Sequence, residues 1–264
     1  MAITTGELLK GLTANLDSLN TTVDKLYFGN LNTEVKGVVT TFSASQYVIE
    51  RAVALGANLI ITHEGLFFSH HELQDELKKD PVYVEKNRLI ENSGVGIYRF
   101  HDYLHRYKPD GIMEGLLHAL DWQEYVEEQQ PAAAILKLPP MEVTEVAEYL
   151  KRKLHISYVR VAGEPSMLCR RVGILVGYRG GGSSAIPLFE NSSLDLIIAG
   201  EGPEWETPEY VRDAVYQGRN KALIMLGHAE SEAPGMKYLA DQLSAQYPML
   251  PVHFVEDQPI FKIL

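Results

Sequence analysis

Residues 56–65 read GANLIITHEG, and residues 193–202 read SLDLIIAGEG. The two stretches lie over each other without a gap, so that His63-Glu64 falls on Gly200-Glu201. A short apolar run bounded by glycine and polar residues reads as a buried strand. A second strand recurs further along: VGIYRFHDYLH (95–105) lies over ALIMLGHAESE (222–232), with His101 on His228 and His105 on Glu232. A core needs the apolar strand in each copy but has no use for the polar residues that follow it. The recurrence therefore predicts a duplicated unit whose strand ends carry chemistry.

The surrounding sequence fills in that unit. VKGVVTTF (35–42) reads as a buried strand, followed by a helix over 43–55 with Ser43 or Ser45 as N-cap and Gly56 just past its end. Asp80 and Pro81 read as N-cap and first helical residue of another helix. After Pro131 come the strand AAAILKL, a helix from about 142 to 154, and the strands RRVGILVGY, DLIIAG and KALIMLG. Thr207-Pro208 opens a helix that stops at Gly218. Strand, helix, strand order predicts an α/β fold of two related halves with mostly parallel sheets and a pseudo-twofold internal repeat. The boundary is set near 122–131, in the acidic QEYVEEQQP, giving halves 1–125 and 126–264 with the C-terminal tail packing on the first.

Charge narrows the partners. A formal net charge of -11 offers no basic footprint for nucleic acid or an anionic membrane surface, so small molecules and metal cations are the expected partners. The opening MAITTGELLKGLTANLD lacks a basic region followed by a long apolar run. It reads as an amphipathic helix with Leu8, Leu9, Leu12 and Leu16 on one face, neither signal peptide nor membrane span. A single cysteine, Cys169, excludes an intrachain disulfide and suits a reducing cytoplasm.

In open α/β sheets ligands collect at the carboxyl ends of the strands, where both copies place their donors. His63, Glu64, His105, His228 and Glu232 are the expected metal ligands, aimed at a common point by the duplication. Mixed imidazole and carboxylate donors suit zinc, manganese, iron or nickel. His228 and Glu232, like His101 and His105, share a face if each pair enters a helical turn. His101 is the candidate general acid or base. Glu201, with Glu204 behind it, is a substrate or outer-sphere candidate, as is Arg179 beside the glycines of YRGGGSS (178–184). That loop reads either as an anion cradle at a helix start or as a tight connection. His70, His71 and Glu72 form a further cluster on the loop after Phe68. No Ser-His-Asp elbow, Cys-His pair or zinc-finger cysteine spacing is present.

The stretches TTFSASQYVIERAVALGANLIITHEGLFF (40–68), YRFHDYLH (98–105), VGILVGYRGGGSS (172–184), AGEGPEWET (199–207), GHAESEAPGMKYLA (227–240) and PVHFVEDQPI (251–260) together resemble one family. It is that of the NIF-three-like dinuclear-metal-centre proteins, some named GTP cyclohydrolase I type 2 homologues. The resemblance implies two divalent metal ions and a homohexameric ring. It places the family's paired histidines on His63 and Glu64, its aspartate ligand on His105, and its late His and Glu ligands on His228 and Glu232. Glu at 64 and His at 105 depart from that pattern, and the second departure removes a carboxylate able to bridge two ions. The expected function is a metal-dependent hydrolase, with metal-activated water attacking a small phosphoester, nucleotide or amide. GTP-cyclohydrolase-like purine ring opening and a non-catalytic metal-binding or scaffold role are the alternatives.

Overall fold

The computed structural model describes residues 2–71 and 75–264; Glu72 lies outside the described residues. The chain forms two compact units, residues 1–111 with 236–264, and residues 112–235. Each is built on its own sheet.

The first unit begins with α1 (Thr5–Thr13), whose Thr4 and Glu7 form a reciprocal capping box and whose Leu8, Leu9 and Leu12 are buried. Its sheet holds β1 (Lys25–Phe28), β2 (Val38–Thr41), β3 (Leu59–Thr62), β4 (Gly96–Arg99) and β11 (Val252–Phe254), in the order β1-β4-β3-β2-β11. The last four run parallel, and only β1 is antiparallel. Helix α2 (Gln46–Ala54) starts where Ser45 Oγ accepts the Val48 N–H at 3.2 Å, and Gly56 follows it at φ +72°. Helix α3 (Pro81–Ser93) starts where Asp80 accepts the Val82 N–H at 2.8 Å, with Pro81 in its first turn, and ends at left-handed Gly94. Both helices pack their apolar stripe, Val48, Ile49, Ala52 and Ile90, on Val39, Ile60 and Ile97 of the sheet. Burying such side chains contributes roughly 1.5–3 kcal/mol each.

The second unit holds α4 (Gly111–Ala119) apart from its first residue, then β5 (Val126–Gln129), β6 (Ala134–Glu142), α5 (Val143–Leu154), β7 (Arg160–Ala162), β8 (Leu168–Leu175), α6 (Gly182–Asn191), β9 (Leu196–Ala199), α7 (Thr207–Tyr216) and β10 (Ala222–Met225). The first turns of α8 (His228–Gln246) also belong to it. Strand order is β5-β6-β8-β9-β10-β7, with β8, β9 and β10 parallel and the flanking pairs antiparallel. This sheet is more mixed than the first. The β6–β8 pairing shifts register between Lys137 and Met141, where Pro139 and Pro140 have no N–H to give the ladder. The core gathers Ile135, Leu175, Phe189, Ile197, Val211 and Leu223. Cys169 is buried with its thiol directed at the Met141 carbonyl, and burial pushes its pKa up to about 11.

The two parallel trios repeat each other, with one slip. Leu59 pairs with Gly96 and Leu196 with Ala222, so Gly96 corresponds to Ala222, whereas the sequence overlay puts Val95 there. Four-residue apolar strands contain nothing that pins their register in sequence. Among the described residues no helix is long and apolar enough to cross a membrane.

Candidate functional site

In the first unit the donors cluster at the carboxyl ends of β3 and β4. The β2 ladder continues past β3, with the His63 N–H donating to Thr41 O at 3.1 Å and the Glu64 N–H to Phe42 O at 2.8 Å. Gly65 then breaks the strand; a side chain there would collide with the Ser69 carbonyl. After β4 the chain turns over the carboxylate of Asp24, which accepts the N–H groups of His101, Asp102 and Tyr103 at 2.8, 2.9 and 2.9 Å. Burial raises the Asp24 pKa despite those three donors. The His105 N–H donates to His101 O at 3.2 Å, closing one helical turn that brings the two imidazoles to one face.

His63, His101 and His105 meet as a triad. Ring centroids lie 4.5 Å apart for His63 and His101, 5.1 Å for His63 and His105, and 5.0 Å for His101 and His105. One ligand-competent nitrogen from each lies within 4.8 Å of the others, so this group can hold a metal ion. Each Nδ1 has an oxygen partner: Phe100 O at 3.2 Å for His63, Asp102 Oδ1 at 2.9 Å for His101, and Asp110 Oδ2 at 2.9 Å for His105. Carbonyls and carboxylates only accept, so each Nδ1 carries a proton, and Nε2 is the nitrogen that each ring can offer to a metal. This is the orientation that outer carboxylates and carbonyls impose on metal-binding histidines. Burial, followed by the positive charge of His63 and His105, depresses the His101 pKa to about 3, leaving a neutral imidazole at physiological pH.

Glu64 turns away from His63 toward Arg99. The guanidinium of Arg99 is fully buried, with Nη2 2.7 Å from Glu64 Oε2, Nε 3.3 Å from His63 O and Nη1 2.6 Å from His70 O. The Gly65 N–H also donates to Glu64 Oε2, at 3.1 Å. The other oxygen, Oε1, lies 3.6 Å from His101 Nε2, and Glu64, His70 and His101 form a second group able to hold a cation. Burial works to raise the Glu64 pKa, but the charges of His101, Arg99, His63 and His70 outweigh it and hold the carboxyl below its usual range. His70 thus belongs to this cluster, its Nδ1 3.0 Å from Arg99 Nη2, while His71 stacks edge-on against it.

In the second unit His228 opens α8 and Glu232 follows one turn later, with Nε2 3.1 Å from Oε2. His228 Nδ1 lies 2.9 Å from Glu201 Oε1, so Glu201 orients this imidazole. Burial disfavours the imidazolium, but the hydrogen bonds and charges of Glu232 and Glu201 prevail and raise the His228 pKa to about 9. Buried Ser231 accepts the Gly177 N–H at 2.9 Å and donates to His228 O at 2.8 Å. Gly177 sits at φ +61°, and a Cβ there would strike the Glu232 carboxylate. Arg179 lies two residues on, in the short 3-10 turn Gly177–Arg179. The glycine loop's helix start is filled from within: the Gly182 N–H donates to Glu206 Oε2 at 2.6 Å, where a bound anion was one expectation. Glu204 pairs with Arg160 at 2.8 Å.

Sequence reasoning left out Arg99, Asp24 and Asp110, and the structure makes Asp102 the partner of His101. Arg99 carried the one available signal, a charged residue ending an apolar strand.

Known proteins match this arrangement along most of the chain. A curated relative from Pasteurella multocida (strain Pm70), named GTP cyclohydrolase 1 type 2 homolog, is 28% identical over 225 residues, 82% of each chain. One of the same name from Yersinia pestis is 26% identical over 84% of this chain and 85% of its own. Among solved structures, a Bacillus cereus protein related to NIF3 superposes with TM-score 0.79 at 15% identity, covering 100% of both chains. A Staphylococcus aureus hypothetical protein, SA1388, gives 0.76 at 17% identity and the same coverage. The family model Duf34/NIF3 (NGG1p interacting factor 3) matches residues 22–259, and the chain therefore belongs to the Duf34/NIF3 family.

Proposed function

We propose that the protein is a metal-dependent hydrolase acting on a small phosphoester, nucleotide or amide. Its ligands are drawn from His63, Glu64 and His105 in the first unit and His228 and Glu232 in the second, and geometry adds His101 to the first group. The observation that carries the reading is the triad, whose three Nδ1 atoms each face an oxygen and whose ligand-competent nitrogens lie within 4.8 Å of one another. A divalent cation would supply Lewis acidity, lowering the pKa of water and polarising a phosphoryl or carbonyl group. The residues supply the rest. Asp24 fixes the turn that carries His101 and His105, and Arg99 locks the loop from His63 to His70. His101, neutral at physiological pH, accepts a proton or a cation at Nε2 but has no spare proton to give there. His228 holds its proton until a cation displaces it.

Bound metal is expected to fall in His63→Ala and His105→Ala chains and in the His228→Ala/Glu232→Ala double variant, with circular dichroism unchanged. Undiminished metal in all three would overturn the ligand assignment. A substrate screen blank with zinc, manganese, iron and nickel would overturn the hydrolase reading and leave a metal-binding or scaffold role. The relatives' name favours one narrower activity, GTP ring opening, with Arg179 and Glu201 toward the substrate; formate released from GTP tests it. A six-copy cytoplasmic ring belongs to the same proposal, and light scattering measures its mass.

A further inference from the structure

We infer that the second unit carries a binding cleft, between α7 and the edge strand β7, for a small zwitterion with an apolar body, of which an apolar α-amino acid is the simplest case. None of its lining residues belongs to the metal-donor groups described above, so the inference stands apart from the hydrolase reading.

The cleft has a volume of about 550 Å³, within the range of small-molecule sites. Its shape follows from the topology. β7 pairs antiparallel with β10, placing Ala162 opposite Leu223 and Arg160 opposite Met225. Directly paired residues share a face, and all four line the cleft. The other wall is α7, which presents Pro208, Arg212 and Val215 at a spacing of four and then three residues, on one side of the helix. A helix that joins the parallel strands β9 and β10 runs back against them. The start of α7 therefore lies at their carboxyl ends and Val215 at their amino ends.

That direction gives the cleft two unlike ends. At one, Ala162, Val215 and Leu223 form an apolar pocket. At the other stand two cations and two anions: Arg160 Nη1 donates to Glu204 Oε1 at 2.8 Å, and Arg212 Nη2 to Glu209 Oε1 at 2.8 Å. Asp213 Oδ1 lies 3.8 Å from Arg212 Nε but does not line the cleft. A guanidinium has five N–H donors, and each of these two hydrogen-bonds its glutamate through a single nitrogen, which leaves room for a ligand carboxylate. The glutamates only accept, and suit an ammonium. A ligand of one charge meets a like charge here as well as an opposite one, whereas a zwitterion finds a partner for each of its own. All four side chains are largely exposed, so trading part of an ion pair for a ligand costs little.

The test is isothermal titration calorimetry of the full chain with L-leucine, L-methionine and L-phenylalanine. At least one should bind at a single site per chain. The matching acid without the ammonium and amine without the carboxylate, isocaproate and isoamylamine for leucine, should each bind at least about tenfold more weakly. Val215→Trp, which fills the apolar end, should abolish binding, and Arg212→Gln should weaken it about tenfold with the melting temperature retained. No heat from any of the three amino acids would overturn the inference. So would a singly charged analogue that binds as tightly as the amino acid, or an affinity that neither variant moves. If Val215→Trp does not fold, the analogues and Arg212→Gln decide. Amino-acid binding by a chain that holds no metal would support the inference while the hydrolase reading fails.

Discussion

Arg99 Nη2 stands 2.7 Å from Glu64 Oε2, with the arginine side chain wholly out of solvent and the glutamate 16% exposed. Truncating the cation strands a carboxylate and three acceptors. Arg99→Met should therefore lose about 3–5 kcal/mol in urea denaturation. Glu64→Gln should lose less, because His63 O and His70 O still accept from the guanidinium. Arg99→Met with wild-type stability would show that the pair is structurally idle.

Asp102 and Asp110 each hold one imidazole of the triad by its Nδ1. Asp102→Ala and Asp110→Ala should each weaken zinc or cobalt affinity about 10–100-fold, with far-ultraviolet circular dichroism retained. Calorimetry giving wild-type affinity in both would refute this division of labour.

Two half-buried histidines, His228 and His101, respond oppositely to pH in the metal-free protein. His228 has a folded pKa of about 9, above its ordinary 6.5. Its pairing with Glu232 and Glu201 stabilises fully below pH 6.5 and is lost as pH rises through 9. His101 has a folded pKa of about 3, below 6.5, so its contribution holds above pH 6.5 and is lost as pH falls toward 3. The stability gap between wild type and His228→Gln should shrink from pH 6 to 9.5, and that between wild type and His101→Gln should shrink below pH 6. A gap that widens in either window contradicts the assignment.

Gly177 and Gly56 make an internal comparison. Both have positive φ, but a Cβ at Gly56 meets nothing within 4 Å, whereas at Gly177 it meets the Glu232 carboxylate. Gly56→Ala should cost about 1 kcal/mol from the backbone alone. Gly177→Ala should add about 1–3 kcal/mol of overpacking. Equal thermal shifts for the two would mean that Glu232 yields freely.

Much of the fold was legible because its signals are local. Ser45, Gly56, Asp80 and Pro81 mark helix ends through contacts within a few residues, and LIIT and LIIA announce buried strands by composition. The donors at the strand ends were legible because the repeat set them off from the core. What escaped depends on distance along the chain. Asp24 serves N–H groups of residues 101–103, and Arg99, inside the apolar-looking VGIYRF, turns its guanidinium back to the loop after β3. No periodicity encodes such contacts. The pairing register slipped by one residue for the same reason, since only the neighbouring strand decides it.

The strand β11, laid parallel along β2 with Val252 opposite Val38, is made of residues translated after the whole of 112–235. Everything in 112–235 is translated before that strand exists, so the second unit has its whole sequence available while the first still lacks an edge of its sheet. During synthesis the triad histidines therefore emerge long before an edge strand of their own sheet, and wait on a scaffold completed only after the second unit's sequence has been made.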